Sequence, residues 1–285
     1  MTWDVRGKII LVTGATSGIG LEACVALARR GARIAMVGRD PARTEAVRAD
    51  VMARSGSPEV SHFLCDFSSQ AAIRGFADSF RASHDRLDVL VNNAGGVHKR
   101  RRLTGDGIEM TFAVNHLGYF LLTNLLLDLV VRSAPARVVT VASIAHHSGT
   151  LDFEDLGFER GYSIMRAYSR SKLANVLFAA ELARRLDGTG VTSNSLHPGS
   201  VATNIWSGAP LWAKPFIAIF LRRSCISPAQ GAERVVRLAA DPALEGVTGK
   251  YFQEEIESVP APLARDAALA RRLWDVSAGM TGLRK

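Results

Sequence analysis

Short runs of apolar and β-branched residues alternate along the chain with longer amphipathic segments. The runs predict strands at 9–12, 33–37, 60–64, 89–91, 137–141 and 191–196, with a seventh near 250–252. The intervening segments predict helices over about 18–30, 41–54, 69–82, 107–132, 163–187 and 228–240, and a final amphipathic helix over 263–276. Uninterrupted apolar strands that alternate with helices are typical of a parallel sheet covered by helices on both faces.

The chain contains no Pro-, Gly- or Ser-rich linker and no internal repeat. We therefore predict one α/β, doubly wound domain over residues 1–285, with a parallel sheet of about seven strands and helices on both faces. The segment 204–227 breaks the alternation, because it is rich in Trp, Phe and Ile and contains Pro210 and Pro215. We predict that this segment is a lid over a ligand site.

Composition limits the class of protein and its compartment. With 47% hydrophobic and 22% charged residues, the 285-residue chain falls in the globular range and outside the disordered and fibrous classes. Its cysteines, Cys24, Cys65 and Cys225, are widely spaced, so the sequence predicts neither a disulfide framework nor a metal site. The N-terminus lacks the features of a signal peptide, and no apolar stretch reaches the roughly 20 residues that span a bilayer. We expect a soluble, cytoplasmic protein.

The chain is basic, with a formal net charge of +8, and Arg supplies 29 of its 35 basic residues. Such a charge fits three kinds of partner: a nucleic acid, a membrane surface or an anionic cofactor. No nucleic-acid recognition motif accompanies it. We therefore predict no nucleic-acid partner, and charge alone does not choose between the other two.

A glycine-rich turn follows the first predicted strand. Residues 9–20 read IILVTGATSGIG, with Gly14, Gly18 and Gly20 between the strand and the start of a helix. Glycines allow a tight turn and a close approach of the backbone, and the helix N-terminus offers N–H groups and a positive dipole end to a pyrophosphate. The alternative is a glycine-rich turn without a ligand, but the preceding strand favours a dinucleotide site.

The end of the second strand bears on the choice of dinucleotide. Folds that bind NAD usually place an acidic residue there, which bonds the ribose 2′-hydroxyl. This chain has Gly38 at that position and Arg39 after it, and a guanidinium can pair with a 2′-phosphate. The sequence therefore favours NADP(H) over NAD(H). The alternative is that Arg39 faces solvent while Asp40 caps the next helix, and the two roles are compatible.

Candidate catalytic residues gather at the predicted carboxyl edge of the sheet. Tyr168 and Lys172 are four residues apart, which places them on one face of a helix. An ammonium beside a tyrosine lowers the phenol pKa, which suits proton exchange with a carbonyl or carbinol oxygen. Ser143 ends the fifth strand and 92–95, NNAG, follow the fourth. Asn115 lies inside a predicted helix, where asparagine is mildly unfavourable.

These motifs together give the chain a family resemblance. TGATSGIG, NNAG, VNHLG, YSRSK and HPG occur in the order typical of the short-chain dehydrogenase/reductase family, which the chain resembles over nearly its whole length. The strings FAVNHLGYFLLT, SIAHH, SKLANVLF and GKYF resemble its retinol dehydrogenase and WW domain-containing oxidoreductase group. The resemblance implies a Rossmann-type fold and an NAD(P)-dependent oxidoreductase. Ala142 replaces a serine that is common before the catalytic serine.

The resemblance also implies a role for each matching residue. Tyr168 would be the general acid and base, and Lys172 would lower its pKa and bind the nicotinamide ribose. Ser143 would bond the substrate oxygen, and Asn115 would hold a water in a proton relay. Besides Tyr168 and Lys172, the implied cofactor contacts are Gly14, Thr16, Ser17, Gly18, Ile19, Gly20, Arg39, Asp66, Phe67, Asn92, Ala94, Gly95, Pro198, Gly199, Val201 and Thr203.

Two function hypotheses follow. The first is an NADP(H)-dependent oxidoreductase that interconverts a lipophilic alcohol and its aldehyde or ketone, where the apolar lid indicates the substrate class. The alternative is a non-catalytic NADP(H)-binding redox sensor or scaffold. The presence of all four candidate catalytic residues favours the first, because a sensor need not keep them.

Further features concern partners. Lys99 to Arg102 form a basic run, and Lys214, Arg222 and Arg223 flank the apolar run 216–221. Both groups are predicted to border the mouth of the site, which leaves open a peripheral contact with an anionic membrane, and the alternative is two unrelated solvated loops. A homodimer or homotetramer is also left open. The pair His146-His147 has no third ligand at zinc spacing, so we predict a loop role for it.

Overall fold

The computed structural model describes residues 3–200 and 226–283, and its centre is one β-sheet. The strands are β1 (Ile9–Thr13), β2 (Arg33–Gly38), β3 (Val60–Leu64), β4 (Val89–Asn92), β5 (Ala136–Val141), β6 (Val191–His197), β7 (Tyr251–Gln253) and β8 (Ile256–Glu257). β1, β5 and β6 are buried along their whole length. Burial on both faces explains the uninterrupted apolar and β-branched sequence of β1, whereas β6, which reads VTSNSLH, also buries polar side chains.

The sheet is doubly wound. Its order is β3-β2-β1-β4-β5-β6-β7-β8, in which β1 to β7 are parallel and β8 is antiparallel to β7. The chain winds outward from β1 in one direction and from β4 in the other, so a crevice opens where these two strands end. The predicted fold class is confirmed, and the two-residue β8 adds an edge to the seven strands that the sequence predicts.

The helices cover both faces of the sheet. They are α1 (Gly18–Arg29), α2 (Pro41–Ser55), α3 (Gln70–Ser83), α4 (Met110–Phe112), α5 (Gly118–Leu125), α6 (Leu127–Arg132), α7 (Ile164–Arg185), α8 (Pro228–Ala240) and α9 (Ala267–Met280). The apolar residues of α1, α2 and α8 form one core with the sheet, and those of α3, α5 and α6, with part of α7 and α9, form a second core on the opposite face. The other apolar residues of α7 and α9 belong to a third cluster.

The helix predicted over 107–132 is divided in the structure. Leu103 and Glu109 form an antiparallel bridge, and the Glu109 carboxylate accepts hydrogen bonds from the N–H groups of Thr111 and Phe112, so the helix begins only at Met110. A π-helical turn then occupies Ala113–Leu117, and a break at Leu126 separates α5 from α6. The hydrophobic pattern does not report such irregularities, because the apolar face continues through them.

The C-terminal helix packs on the body of the protein, as predicted, although it runs from Ala267 to Met280 after a 3-10 turn. Trp274 is the main contact. Its ring stacks on Phe178 with centroids 5.8 Å apart and meets the edge of Phe120 at 4.9 Å. The Arg185 guanidinium lies 4.3 Å from the Trp274 ring centroid. α9 therefore buries aromatic side chains of α5 and α7 within the chain.

Several predicted features lie outside the described residues. These are Val201, Thr203, Lys214, Arg222, Arg223, Cys225, the apolar run 216–221 and all but the last two residues of the proposed lid, 204–227. Among residues 3–200 and 226–283, no helix is both long enough and apolar enough to cross a bilayer.

We expect Trp274→Ala to destabilise the protein by about 3–5 kcal/mol, because it removes a large aromatic side chain from the contact between three helices. The free energy of unfolding is measured by urea denaturation. Ile256→Ala is the control, because that side chain is 72% exposed on β8 and its loss should be almost neutral. Equal effects of the two substitutions would contradict the role given to Trp274.

Candidate active site

The turns after β1 and β4 pack tightly against each other. Gly14 has a φ of +64°, and a Cβ atom at this residue would lie 2.7 Å from the Cα of Ala94. A Cβ at Gly20 would lie 2.4 Å from the carbonyl oxygen of Gly14. The Thr13 hydroxyl joins the two turns, because its oxygen accepts hydrogen bonds from the N–H groups of Asn93 (2.8 Å) and Ala94 (3.0 Å). Side chains larger than glycine would force the turns apart.

Asn93 also supports the glycine-rich turn, a role that the sequence analysis missed. Its side-chain amide donates to the carbonyl oxygens of Thr13 (2.8 Å) and Gly14 (3.3 Å). Asn92, which we predicted to contact the cofactor, has a fully buried side chain that donates to the Thr123 hydroxyl at 3.0 Å. Asn92 could therefore contact a cofactor only through its backbone.

The N-terminus of α1 presents backbone donors at the same crevice. Gly18 opens the helix with a φ of +57°, and the Ser17 side chain makes no capping hydrogen bond in the described part of the chain. Because the first N–H groups of a helix have no partner within it, this end of α1 can bind an anion. The close-packed glycines and the helix end fit a dinucleotide pyrophosphate, and the contacts at Thr16, Ile19, Gly20 and Gly95 stay a prediction.

Two arginines lie near the end of β2. Arg39 is exposed, and the Asp40 carboxylate caps α2 by accepting a hydrogen bond from the N–H of Arg43 at 2.8 Å. The Arg43 guanidinium donates to the carbonyl oxygen of Thr16 at 3.3 Å, which brings a second cation to the glycine-rich turn. The sequence analysis did not name Arg43, although its place in the first turn of α2 is a signal for it.

Gly38 leaves no room for a side chain. A Cβ atom there would lie 2.1 Å from the hydroxyl oxygen of Thr44 and 2.6 Å from the Cγ2 of Thr16. An acidic residue at this position, as expected for a site that bonds a ribose 2′-hydroxyl, would collide with both.

Asp66 and Phe67 follow β3 near the predicted adenine side of the site. One oxygen of the Asp66 carboxylate accepts hydrogen bonds from the N–H and the hydroxyl of Ser68, at 2.9 and 2.8 Å. The Phe67 side chain is buried against Gly118. A Cβ atom added at Gly118 would lie 2.7 Å from the Phe67 ring. Only the backbone of Phe67 is therefore placed to contact a cofactor.

Ser143 lies two residues after the end of β5, where it is the N-cap of a 3-10 turn over Ile144–Ser148. Its hydroxyl oxygen accepts a hydrogen bond from the N–H of Ala145 at 3.2 Å. This bond occupies a lone pair of the oxygen, so the hydroxyl hydrogen is available to donate to another group. Ala142 is buried, and its N–H donates to the carbonyl oxygen of Leu196 at 2.8 Å. The residue before Ser143 therefore continues the hydrogen bonding of β5 with β6.

α7 brings Tyr168 and Lys172 to Ser143. The Ser143 hydroxyl lies close enough to the Tyr168 phenol to lower the pKa of that phenol. The Lys172 ammonium lies 5.6 Å from the centroid of the Tyr168 ring and donates to the carbonyl oxygen of Val141, at the end of β5, at 2.9 Å. Ser143, in the turn after β5, thus lies beside Tyr168 and Lys172 on α7.

Burial dominates the electrostatics of this group. It raises the pKa of Tyr168 above its usual value, and the nearby Ser143 hydroxyl opposes that rise. Burial also lowers the pKa of Lys172 to about 8. From sequence we expected a lowered pKa at Tyr168; that expectation is wrong for this structure, because desolvation of the phenol outweighs the other contributions.

Asn115 joins the turn after β4 to α7. It lies in the middle of the π-helical turn, and its side-chain oxygen accepts a hydrogen bond from the N–H of Gly96 at 2.9 Å. Its amide donates to the Gly96 carbonyl oxygen at 3.0 Å and to the Ser171 hydroxyl at 3.1 Å. Because protein groups engage both ends of this side chain, the predicted role in holding a water would fall to the backbone of Asn115.

The loop after β6 is held by an arginine. Arg234 donates to the carbonyl oxygen of Pro198 at 2.6 Å and pairs with Glu254 at 2.8 Å. Gly199 has a φ of +92°, and a Cβ atom there would lie 2.1 Å from the Arg234 guanidinium. His197, the last residue of β6, is buried beside this loop.

The basic run after β4 is only partly exposed. Lys99, Arg100 and Arg102 are exposed, whereas Arg101 is half-buried and donates to the Gly157 carbonyl oxygen at 2.8 Å. The hypothesis of a basic rim at the mouth also involves residues outside the described part of the chain, so it stays a prediction. Within residues 3–200 and 226–283, no group of three His, Cys, Asp or Glu side chains could hold a metal ion.

We expect Lys172→Met to stabilise the free protein by about 1–3 kcal/mol at pH 7, because a pKa lowered from 10.5 to about 8 shows that burial opposes the ammonium. Lys172 keeps its proton up to about pH 10.5 in the unfolded chain but loses it near pH 8 in the folded protein. The stability gained by Lys172→Met should therefore shrink as the pH rises from about 8 to 10.5. Urea unfolding at several pH values measures it.

Lys250→Met is the control for that substitution, because Lys250 forms an exposed ion pair with Glu257. The free energy of unfolding of the Lys250→Met variant should stay close to that of the parent protein at every pH. A loss of stability on Lys172→Met at pH 7 would contradict the electrostatic argument.

Comparisons with known proteins agree with this geometry. Residues 8–213 match the family described as short chain dehydrogenase. Retinol dehydrogenase 14 of Mus musculus is 43% identical to the chain, over 99% of the chain and 88% of that protein. Retinol dehydrogenase 11 of Homo sapiens is 42% identical, over 99% and 88%.

Solved structures show the same fold. A structure of an uncharacterized protein from Mycobacterium paratuberculosis has a TM-score of 0.80 and 32% identity, covering 99% of this chain and 96% of that one. The RhlG/NADP active-site complex of Pseudomonas aeruginosa has a TM-score of 0.71 and 26% identity, covering 92% and 98%. The chain belongs to the short-chain dehydrogenase family and is an oxidoreductase that acts on CH–OH groups with NAD(P).

Proposed function

We propose that the protein is an NADP(H)-dependent oxidoreductase that interconverts a lipophilic alcohol and its aldehyde or ketone, with Tyr168 as the general acid and base. The observation that carries the proposal is the adjacency of Ser143, Tyr168 and Lys172 at the crevice bordered by the glycine-rich turn. The crevice lies at the carboxyl edge of the sheet, where open α/β folds bind their ligands.

The proposed chemistry divides between cofactor and protein. When bound, the nicotinamide supplies a centre that accepts or donates a hydride. In the direction of oxidation, the ionised Tyr168 phenol takes the hydroxyl proton of the substrate, while the Ser143 hydroxyl donates a hydrogen bond to the same oxygen. The Lys172 ammonium favours the ionised form of Tyr168 by its charge. In the direction of reduction, Tyr168 returns the proton to the carbonyl oxygen.

The charged groups near the glycine-rich turn support a preference for NADP(H). Arg39 is exposed after β2, and the Arg43 guanidinium donates to the carbonyl oxygen of Thr16 in the glycine-rich turn. Two guanidinium groups would favour a 2′-phosphate, and the crowding around Gly38 leaves no space for a carboxylate that would bond a 2′-hydroxyl. The RhlG/NADP complex adds support from a related structure.

Exposed apolar side chains near the catalytic group support a lipophilic substrate. Ile144, which follows Ser143, is 42% exposed. Ile164 and Met165, one helical turn before Tyr168, are 37% and 57% exposed. We propose that these side chains, together with the lid at 204–227, contact the hydrocarbon part of the substrate. The similarity to retinol dehydrogenases points to the same class of substrate.

We expect Tyr168→Phe to lower kcat by about 10²–10⁴-fold, because the phenyl ring cannot exchange a proton with the substrate oxygen. The dissociation constant for NADPH should stay within about twofold, because the ring itself remains. Turnover is measured with a panel of aldehydes and alcohols that includes retinal, retinol, decanal and decanol, and NADPH binding by fluorescence titration. Turnover that survives the substitution would contradict the assigned role, and absence of turnover in the parent protein would favour the redox sensor.

We expect Arg39→Ala to raise the KM for NADPH by roughly 10- to 100-fold and to leave the KM for NADH almost unchanged, because only NADPH loses a charge-assisted hydrogen bond. Steady-state assays with both cofactors measure the ratio. Arg30→Ala is the control, since Arg30 is exposed just after the C-terminal end of α1, far from the glycine-rich turn. A parent protein that prefers NADH would overturn the proposed cofactor.

A further inference from the structure

We propose that His146 is a positioning residue, which fixes the backbone of Ser143, and through it the Ser143 hydroxyl, by joining the Ser143 carbonyl to the main chain at Ala261. The proposal rests on the proposed function, because the placement of Ser143 affects turnover only if this hydroxyl contacts the substrate oxygen. It gives a role to the histidine of the SIAHH string that the reaction itself does not use.

The geometry of His146 is specific at both ring nitrogens. Nδ1 lies 2.7 Å from the carbonyl oxygen of Ser143, and Nε2 accepts a hydrogen bond from the N–H of Ala261 at 3.1 Å. The backbone N–H of His146 donates to the same Ser143 oxygen at 3.1 Å. The imidazole is fully buried, and its ring centroid lies 4.7 Å from that of Tyr251 on β7.

These partners define one protonation state. A carbonyl oxygen accepts and a backbone N–H donates, so Nδ1 must carry the hydrogen and Nε2 must be bare. A protonated imidazole would turn a second N–H towards the N–H of Ala261. Burial and the nearby His147 lower the pKa of His146 to about 4, and His197 is a further titratable neighbour. The bridge is therefore intact throughout the neutral pH range.

The bridge restrains Ser143 from a distant part of the chain. Ser143 lies two residues beyond the end of β5, and its hydroxyl oxygen accepts a hydrogen bond from the N–H of Ala145. Ala261 is 115 residues beyond His146 in sequence and precedes the 3-10 turn that leads to α9. His146 thus connects the catalytic loop to the C-terminal region, and small displacements of a catalytic group are costly to turnover.

Three substitutions separate the two bonds of the bridge. His146→Phe keeps a flat ring against Tyr251 and removes both bonds. An asparagine amide nitrogen can occupy the place of Nδ1, so His146→Asn keeps the donor to Ser143. A glutamine amide oxygen can reach the place of Nε2, so His146→Gln keeps the acceptor for Ala261. His147→Asn, on the exposed neighbouring residue, is the matched control.

We expect His146→Phe and His146→Gln to lower kcat by roughly 10- to 100-fold, with the dissociation constant of NADPH unchanged within about twofold. His146→Asn should restore kcat to within about threefold of the parent, since it keeps the bond to Ser143. His147→Asn should behave as the parent. Equal kcat values for the Asn and Gln variants, or a parent-like kcat for the Phe variant, would overturn the proposal.

A second readout does not depend on turnover. The Ser143 hydroxyl lowers the pKa of Tyr168, so a displaced Ser143 should raise the Tyr168 pKa in the Phe and Gln variants. Tyrosine labelled with carbon-13 at Cζ reports that pKa by NMR, and Tyr168→Phe assigns the signal. The other groups that face Tyr168, Lys172 and Tyr119, are unchanged in all variants.

The two readouts distinguish the two proposals. If the parent protein shows no Tyr168-dependent turnover, the proposed function fails, while the pKa of Tyr168 in the His146 variants still decides whether His146 positions Ser143. A pKa that is the same in the parent and the Phe variant would overturn the positioning role. Lower thermal stability without a change in kcat or in this pKa would assign His146 a purely structural role.

Discussion

The close approach of the turns that follow β1 and β4 is the constraint on which the rest of the site depends. Gly14 and Ala94 meet where a single added carbon atom would not fit, and the Thr13 hydroxyl bonds both turns at once. Since these strands lie side by side at the switch point of the sheet, their ends form the floor of the crevice. The N-terminus of α1 and the turn that Asn115 supports acquire their positions from this junction.

The catalytic group is assembled at a cost in electrostatic free energy. The fold places a lysine and a tyrosine side by side in a poorly solvated region, where burial disfavours the charged form of each. The main-chain carbonyl of Val141 offers the ammonium one fixed dipole in place of water. Burial of these two groups lowers the stability of the free protein, and it makes their protonation sensitive to a bound ligand.

The sequence predicts the fold and most of the candidate site, because both depend on local patterns. Strand β3 has the predicted bounds, and the other strands differ from their predictions by a residue at one or both ends. Ser143, Tyr168 and Lys172 can be predicted from strand ends and helical spacing. Residues that act through contacts between distant segments escape this reasoning, as the support of the glycine-rich turn by Asn93 shows.

Other features depend on backbone geometry that a hydrophobic pattern does not encode. The π-helical turn around Asn115 inserts a residue without interrupting the apolar face, so the pattern predicts one continuous helix. The pKa of Tyr168 was predicted from its charged neighbour alone, whereas desolvation, which depends on all the surrounding atoms, dominates. The bond between His146 and Ala261 spans 115 residues and has no sequence signature beyond the histidine itself.

The two-residue strand β8 has a consequence for the behaviour of the sheet in concentrated solution. An exposed sheet edge can recruit a strand from another molecule, and long, flat edges are prone to such growth. β8 turns back antiparallel on β7 and ends after Glu257, which forms an ion pair with Lys250. A strand this short offers few unpaired backbone groups to a second molecule. The charged side chain of Glu257 also opposes close pairing, so this edge is a poor template for a strand from a second molecule.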